Sequence, residues 1–275
     1  MNNLLSFSSV KLEPFSKEGA QLKPTSGFIV EAGGRYYAIT NWHVVSGRKI
    51  PAEEQQEPAD RPYLIKISIH IHSGEDERTF PLSMSARQMI TIPLYDDNGI
   101  PRWVEDQSSK QRNPIVDVVA LPIEQRQIIS SSRGILPGFS SPTGPLAKKT
   151  NYWSKVSAIP LSTIETDVDY GPSDAVHVIG YPLGWMPEGI EGYRSAFWQT
   201  CFLASENFEH GIRGAKIFFV DRRAPEGMTG SPVVGAKGDR LKLLGVYSDR
   251  FVEEFGAHAG LVYDASLVRK LVGAF

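Results

Sequence analysis

Two runs of β-forming residues flank the dipeptide Gly33-Gly34 and predict a β-hairpin over residues 27–40. Glycine readily adopts the positive φ angles that a tight hairpin turn requires. The second run leads directly into a short segment that carries His43. The hairpin is therefore expected to deliver an imidazole at the end of one of its strands.

Short β-rich segments separated by turn residues continue along most of the chain. In residues 63–72, four isoleucines alternate with more polar residues, which is typical of a half-buried strand. Residues 263–272 predict a closing helix, with Asp264 or Ser266 as its N-cap. Many short strands with one terminal helix favour an all-β fold built from barrels. Further strands are predicted within residues 80–94, 115–123, 175–182, 198–205, 215–220 and 242–248.

The composition of the 275 residues argues against several classes of partner. The net charge is −2 and there is no run of Lys or Arg, so no nucleic-acid partner is expected. No stretch approaches the roughly 18 apolar residues of a membrane span, and residues 1–15 lack the pattern of a signal peptide. A single cysteine, Cys201, can form no intrachain disulfide. The reducing cytoplasm of a bacterium fits best, and secretion without disulfides stays open.

Three stretches carry the residues of chemical interest, namely Thr40-Asn41-Trp42-His43-Val44-Val45, Asp117-Val118-Val119-Ala120-Leu121 and Gly227-Met228-Thr229-Gly230-Ser231-Pro232-Val233. They resemble the histidine, aspartate and nucleophile segments of the trypsin-like (chymotrypsin-fold) serine peptidases of bacterial type. Their order along the chain is that of this family and not of subtilisins or α/β-hydrolases. The resemblance extends to Ile179-Gly180-Tyr181-Pro182 and Leu244-Gly245-Val246-Tyr247-Ser248. It covers roughly residues 25–270, which is the usual extent of the family's two barrels.

The resemblance implies an acyl-transfer site made of His43, Asp117 and position 229. His43 would be the general base, and Asp117 would hold the imidazole in its productive tautomer. The glycines around position 229 would let the loop turn so that the backbone N–H groups of Gly227 and Thr229 converge on an oxyanion. By the same matching, Ser248 would lie near the Asp117 carboxylate.

The family also implies where a substrate side chain would bind. Ser248, Asp249 and Arg250 would edge the primary specificity pocket. Arg223, six residues before Thr229, would fall at the base of that pocket and would accept acidic rather than basic side chains. A plain solvated turn at Arg222-Arg223 is the alternative interpretation. The partner is therefore expected to be a peptide or protein substrate, and the oligomeric state is left open.

The architecture implied by the resemblance is two six-stranded antiparallel β-barrels followed by a C-terminal helix. We expect residues 1–24 to form an N-terminal arm across the body of the protein. Residues 25–133 would form the first barrel, which carries His43 and Asp117. Residues 134–150, rich in Gly, Pro, Ser and Lys, would link it to a second barrel over residues 151–275.

One departure from the family decides the function. The nucleophile of the family is serine, whereas this chain has Thr229, whose β-methyl restricts χ1 and crowds the loop. Neither Ser231 nor Cys201 replaces the missing serine, because neither occupies the nucleophile position of the loop. Two hypotheses follow: a slow or specially adapted endopeptidase, or an inactive pseudopeptidase that binds or regulates a peptide or protein.

Two further histidines, His70 and His72, lie two residues apart on one predicted strand face. They could be metal ligands, but no nearby Cys or third His completes a site, so a solvated strand face is favoured. No metal and no cofactor is therefore expected.

Overall fold

The computed structural model describes most of the chain with the ranges that follow. They are residues 2–48, 61–72, 85–106, 116–125, 127–128, 155–164, 170–183, 196–206, 214–237, 240–248 and 259–273. The predicted linker, residues 134–150, lies outside these ranges. The boundaries of the two domains therefore stay predictions.

The first sheet contains the predicted hairpin. Its strands are β1 (Ser9–Ser16), β2 (Thr25–Ala32), β3 (Arg35–Thr40), β4 (Pro62–His72), β5 (Ser85–Pro93), β6 (Val104–Glu105), β7 (Val119–Ile123), β8 (Lys155–Val156) and β9 (Ile159–Pro160). The main path through the sheet runs β5-β4-β1-β2-β3-β7-β6, with β8 paired to β4 and β9 paired to β2. The turn between β2 and β3 uses Gly33 and Gly34 at φ 58° and 77°, as the sequence predicts.

Within the described residues, the second sheet has six antiparallel strands. They are β10 (Ala175–Gly180), β11 (Phe197–Phe202), β12 (Ile217–Val220), β13 (Pro232–Lys237), β14 (Arg240–Ser248) and β15 (Gly260–Asp264). Their order in the sheet is β11-β10-β13-β14-β15-β12. A bridge between Leu203 and Val220 joins the chain just after β11 to β12, so the two ends of the sheet curl toward each other. The all-β class with two curled sheets is thus confirmed.

The N-terminal residues differ from the expected arm. After a short helix, α1 (Asn2–Ser8), the strand β1 pairs with β2 on one side and β4 on the other. Val10 and Leu12 on β1 are fully buried, and they alternate with the half-buried charged residues Lys11 and Glu13. The alternation is that of a strand with one face in the core, so the prediction of an arm is wrong for these residues.

Two further helices lie wholly within the described residues, and one of them ties the sheets together. They are α2 (Trp42–Ser46) and α3 (Ala265–Val272), and a 3-10 turn spans Leu161–Thr163. The carboxylate of Asp264 caps α3 by accepting the N–H of Ser266 at 2.9 Å, as one of the two predicted caps. On the same helix, Lys270 Nζ donates to the carboxylate of Asp106, which directly follows β6 of the first sheet, at 2.8 Å.

The main hydrophobic core spans both sheets. Phe28 and Ile39 of the first sheet share one buried cluster with Val234 and Val246 of the second, and with the apolar face of α3. These side chains are completely or almost completely shielded from solvent. Packing across the interface therefore fixes the end of β3 relative to the strands β13 and β14, which is where the candidate site lies.

Candidate active site

His43 is positioned by the short helix that follows β3. Trp42 and Val45 of α2 are buried and hold the helix against the first sheet, while His43 is half-buried. Gly47 ends the helix in the left-handed conformation at φ 70°, and its N–H bonds the His43 carbonyl. The side-chain amide of Asn41, the residue directly before α2, donates to the backbone carbonyl of Asp117 at 2.5 Å. Two segments far apart in sequence are thereby joined beside the imidazole.

The carboxylate of Asp117 accepts hydrogen bonds from three donors. Its Oδ1 atom accepts the backbone N–H of His43 at 3.0 Å, and its Oδ2 atom accepts the Ser248 hydroxyl at 2.8 Å. The ring atom Nδ1 of His43 lies 3.0 Å and 2.9 Å from the two oxygens. Asp117 is 2% exposed. A buried carboxylate requires donors, so the neutral imidazole carries its proton on Nδ1 and leaves Nε2 as an acceptor.

The loop from residue 226 to residue 229 has every backbone carbonyl tied to a donor. Peptide planes held in this way cannot rotate without losing a bond in a buried environment. The donors come from the loop itself, from β2 and from the turn after β10. The bonds are Leu183 N–H to Glu226 O at 2.6 Å, Ser26 hydroxyl to Gly227 O at 2.8 Å, Ser231 N–H to Met228 O at 3.0 Å, and Ser26 N–H and the Thr25 hydroxyl to Thr229 O at 3.1 Å and 2.7 Å.

Two N–H groups of the same loop stay available. Among the described residues, no acceptor bonds the N–H of Gly227 or of Thr229, whereas Met228 N–H bonds the Pro225 carbonyl at 3.1 Å. In a trans peptide the N–H points opposite to the C=O. Because the carbonyls of Glu226 and Met228 are held by donors, the directions of the Gly227 and Thr229 N–H groups are held as well.

Two glycines allow this course of the backbone. Gly227 and Gly230 adopt φ angles of 92° and 87°, which residues other than glycine rarely adopt. A Cβ atom at Gly230 would also lie 2.3 Å from the Ser26 carbonyl oxygen and 2.5 Å from the Thr40 hydroxyl. The loop therefore packs directly against the strand end that leads to His43.

The side chain of Thr229 lies in this loop and is partly exposed. Its neighbour Gly230 donates to the Tyr247 carbonyl at 2.9 Å, and the next residue, Ser248, bonds Asp117. Position 229 is thus connected through one strand to the carboxylate that holds His43. Within the described ranges, the Thr229 hydroxyl and the Nε2 atom of His43 form no hydrogen bond with each other or with another group.

The residues predicted to form a substrate pocket have different surroundings. Ser248 is buried and faces Asp117. Arg223 is exposed, and its carbonyl accepts the side-chain amide of Gln199 at 3.1 Å. Asp249 and Arg250 lie outside the described residues. Ser231 is fully buried, so its hydroxyl is not presented to a substrate.

His70 on β4 is buried, so the prediction of a solvated strand face is wrong at this residue. His70 is 6% exposed, packs on the ring of Phe7 at 4.7 Å between centroids, and accepts Arg87 Nε at Nε2. Burial, and secondarily the charge of Arg87, lower the pKa of His70 to about 4. In the part of the chain that the structure describes, no three Asp, Glu, His or Cys residues cluster as metal ligands.

The described helices are all too short and polar to cross a bilayer.

Sequence reasoning missed Ser26, although this residue bonds the loop through its backbone and its side chain. Its partners in the loop and at Tyr181 lie more than 150 residues away along the chain, so no local period could reveal them. The only local signal is its place just before the close approach at Gly27, where a Cβ atom would lie 2.6 Å from the Ile39 carbonyl oxygen.

No model of a protein family matches this sequence, and no curated protein matches it. Solved protease structures match its fold. The Rv3671c protease of M. tuberculosis in an inactive form is 15% identical, with a TM-score of 0.46, over 98% of this chain and 90% of that chain. The HtrA-type protease AlgW, solved with a tripeptide, is 14% identical, with a TM-score of 0.52, over 99% of this chain.

This chain spans 61% of the AlgW chain in that comparison. The likeness nevertheless extends over both sheets, because nearly all of this chain is covered. The protein therefore has the fold of the trypsin-like serine proteases, with two curled antiparallel β half-barrels and a short C-terminal helix.

Proposed function

We propose that this protein is an endopeptidase in which Thr229 is the nucleophile, His43 the general base and Asp117 the residue that orients the base. The observation that carries the proposal is the bonding of the Asp117 carboxylate to the ring of His43 and, from the other sheet, to Ser248. A general base of this kind needs an acceptor nitrogen that faces the nucleophile and a proton held on the other nitrogen.

The proposed reaction proceeds by acyl transfer. The hydroxyl oxygen of Thr229 attacks the scissile carbonyl carbon while its proton passes to Nε2 of His43. The carbon–nitrogen bond then breaks, the imidazolium returns the proton to the leaving amine, and an acyl ester stays on Thr229. Water then attacks the ester carbonyl carbon while His43 takes its proton, the bond to the Thr229 oxygen breaks, the imidazolium returns the proton to that oxygen, and the acid product leaves and ionises.

The N–H groups of Gly227 and Thr229, which have no acceptor among the described residues, would stabilise the oxyanion of each tetrahedral intermediate. Donors that are already fixed in direction cost no reorganisation when the charge develops. The four bonded carbonyls of the loop support this role because they leave these two donors without a competing acceptor among the described residues.

The methyl group of Thr229 sets the expected rate. It restricts χ1, and a displacement of the attacking oxygen by about 1 Å costs roughly a hundredfold in rate. A second candidate function, a peptide-binding protein that does not cut, is favoured by the lack of a hydrogen bond between Thr229 and His43 in the described structure. Catalytic bonds of this kind often tighten only when substrate is bound, which agrees with the endopeptidase.

The substrate is proposed to be a peptide or protein. Ser248, with Asp249 and Arg250, would edge the pocket for the residue before the cleaved bond, and Arg223 would favour an acidic side chain there. A positive guanidinium attracts a carboxylate and repels Lys and Arg. Comparing matched peptides with Glu, Leu and Lys before the cleaved bond would test this preference.

A fluorophosphonate probe, which reacts with an activated hydroxyl, tests the proposed function. We would compare the wild type with Thr229→Ser, Thr229→Ala and His43→Ala. Labelling of the wild type that is lost in Thr229→Ala and His43→Ala supports the peptidase, and Thr229→Ser should react about a hundredfold faster. Labelling that begins only with Thr229→Ser supports the binding protein. No labelling of either hydroxyl variant would contradict both the mechanism and its assigned residues.

A further inference from the structure

Ser26 joins the nucleophile loop to both sheets through each of its polar groups. Its N–H donates to the Thr229 carbonyl at 3.1 Å, and its carbonyl accepts the Thr40 hydroxyl at 3.0 Å. Its own hydroxyl donates to the Gly227 carbonyl and accepts the Tyr181 N–H, each at 2.8 Å. The residue is 0% exposed.

The Gly227 carbonyl belongs to the peptide that lies between the two proposed oxyanion donors. The peptides on either side of it, 226–227 and 228–229, supply the N–H groups of Gly227 and Thr229. A rotation of the middle peptide therefore changes the distance and the angle between these two donors. The Ser26 hydroxyl and the bond from Met228 N–H to the Pro225 carbonyl hold this peptide from its two ends.

A hydroxyl is well suited to this position. The Tyr181 N–H requires an acceptor and the Gly227 carbonyl requires a donor, and one hydroxyl oxygen supplies both. Methyl, amide and carboxylate groups cannot do so from a single atom of this size. The packing is also close, since a Cβ atom at Gly180 would lie 2.7 Å from the Ser26 hydroxyl oxygen and 2.0 Å from that of Ser231.

We infer that Ser26 is a positioning residue for the oxyanion site, which it preorganises by fixing the peptide between the two donors. The inference rests on the proposed function and assigns Ser26 no contact with the substrate. Through the Tyr181 N–H, it also couples the geometry of the donors to the turn that follows β10. Loss of the hydroxyl should therefore slow the chemical step more than it weakens substrate binding.

The test uses Ser26→Ala, with Ser9→Ala as the matched control. Ser9 is also a fully buried serine, and its hydroxyl donates to the Leu5 carbonyl at 2.9 Å, away from the loop. Both variants would be made in the wild type and in Thr229→Ser. The readouts are the maximal rate and the half-saturating concentration of fluorophosphonate labelling, together with the urea midpoint.

Ser26→Ala should lower the maximal labelling rate by about tenfold to a hundredfold, which is less than the loss of a whole donor, with the half-saturating concentration almost unchanged. Ser9→Ala should lower the urea midpoint while changing the maximal rate by less than about twofold. Equal maximal rates in the two variants would overturn the inference.

Labelling that is absent from every variant would mean that the proposed function fails. Amide hydrogen exchange in residues 226–231 then decides the role of Ser26. Faster exchange there in Ser26→Ala, compared with Ser9→Ala at equal global stability, would show that the hydroxyl fixes the loop. Exchange that is the same in both variants would overturn that role.

Discussion

Lowering the pH should destabilise the protein through His70, which has no part in the proposed chemistry. The ring packs on Phe7 and accepts Arg87 Nε, and burial lowers its pKa from 6.5 to about 4. A histidine whose pKa is lower in the folded state favours folding above pH 6.5, and this contribution is lost as the pH falls toward 4.

The magnitude follows from these two pKa values. With about 1.4 kcal/mol per pKa unit, the difference between protonation of the unfolded and folded states reduces the free energy of unfolding by about 2 kcal/mol between pH 7 and pH 5. The loss arises because the unfolded chain binds a proton at this histidine, whereas the folded chain excludes it.

The variant His70→Gln isolates this contribution. Its amide oxygen can accept Arg87 Nε as the ring does, but it does not titrate. Urea unfolding at pH 7 and pH 5 should show that the wild type loses about 2 kcal/mol more than the variant does. Equal losses in the two proteins would refute the account, because all other titratable groups are shared.

Two further changes test the site and its support. Asp117→Asn should reduce labelling by about a thousandfold to ten-thousandfold, because an amide N–H facing Nδ1 of His43 moves the ring proton to Nε2. Steady-state rates of Thr229→Ser with and without the Asp117→Asn change would measure this loss. A loss under tenfold would argue against Asp117 as the orienting residue. Gly180→Ala should lower the free energy of unfolding by about 1–3 kcal/mol through overlap with Ser231, whereas Gly171→Ala, with open space around it, should change it little in the same urea titration.

Local patterns predicted the elements whose causes are local. The hairpin at Gly33-Gly34 depends on the conformational freedom of two adjacent residues, and the alternation in β4 depends on one buried face. The cap at Asp264 depends on a side chain and an N–H two residues apart. Each of these causes acts within about ten residues, which is the range that periodicity and propensity describe.

The sequence pattern does not indicate the strand β1, because small residues and a proline occupy positions of its buried face. Ser16 and Pro14 alternate with Glu13 and Phe15, so the hydrophobic contrast that indicates a strand is weak there. Pairing with β2 and β4 decides its conformation, and that pairing depends on residues distant in the sequence. Tertiary contacts of this kind override local preference.

For the candidate site, motif order predicted which segments carry His43 and Asp117, and the structure places these two side chains in hydrogen-bond contact. It did not indicate the contacts of Ser26. That difference has a physical reason, since a motif records the groups that react, whereas the bonds that orient them involve whichever residues the fold brings near.

The fixed backbone of the loop also determines how Thr229 can act. Because the carbonyls on both sides of this residue are bonded, the loop cannot shift to make room for the methyl group without breaking a buried bond. Rotation about χ1 is then the freedom left to the side chain, and it would move the proposed attacking oxygen while leaving the N–H groups of Gly227 and Thr229 in place. Thr229→Ser should therefore raise the maximal rate of labelling and leave its half-saturating concentration unchanged. A change confined to a lower half-saturating concentration would show instead that the methyl group hinders binding of the probe.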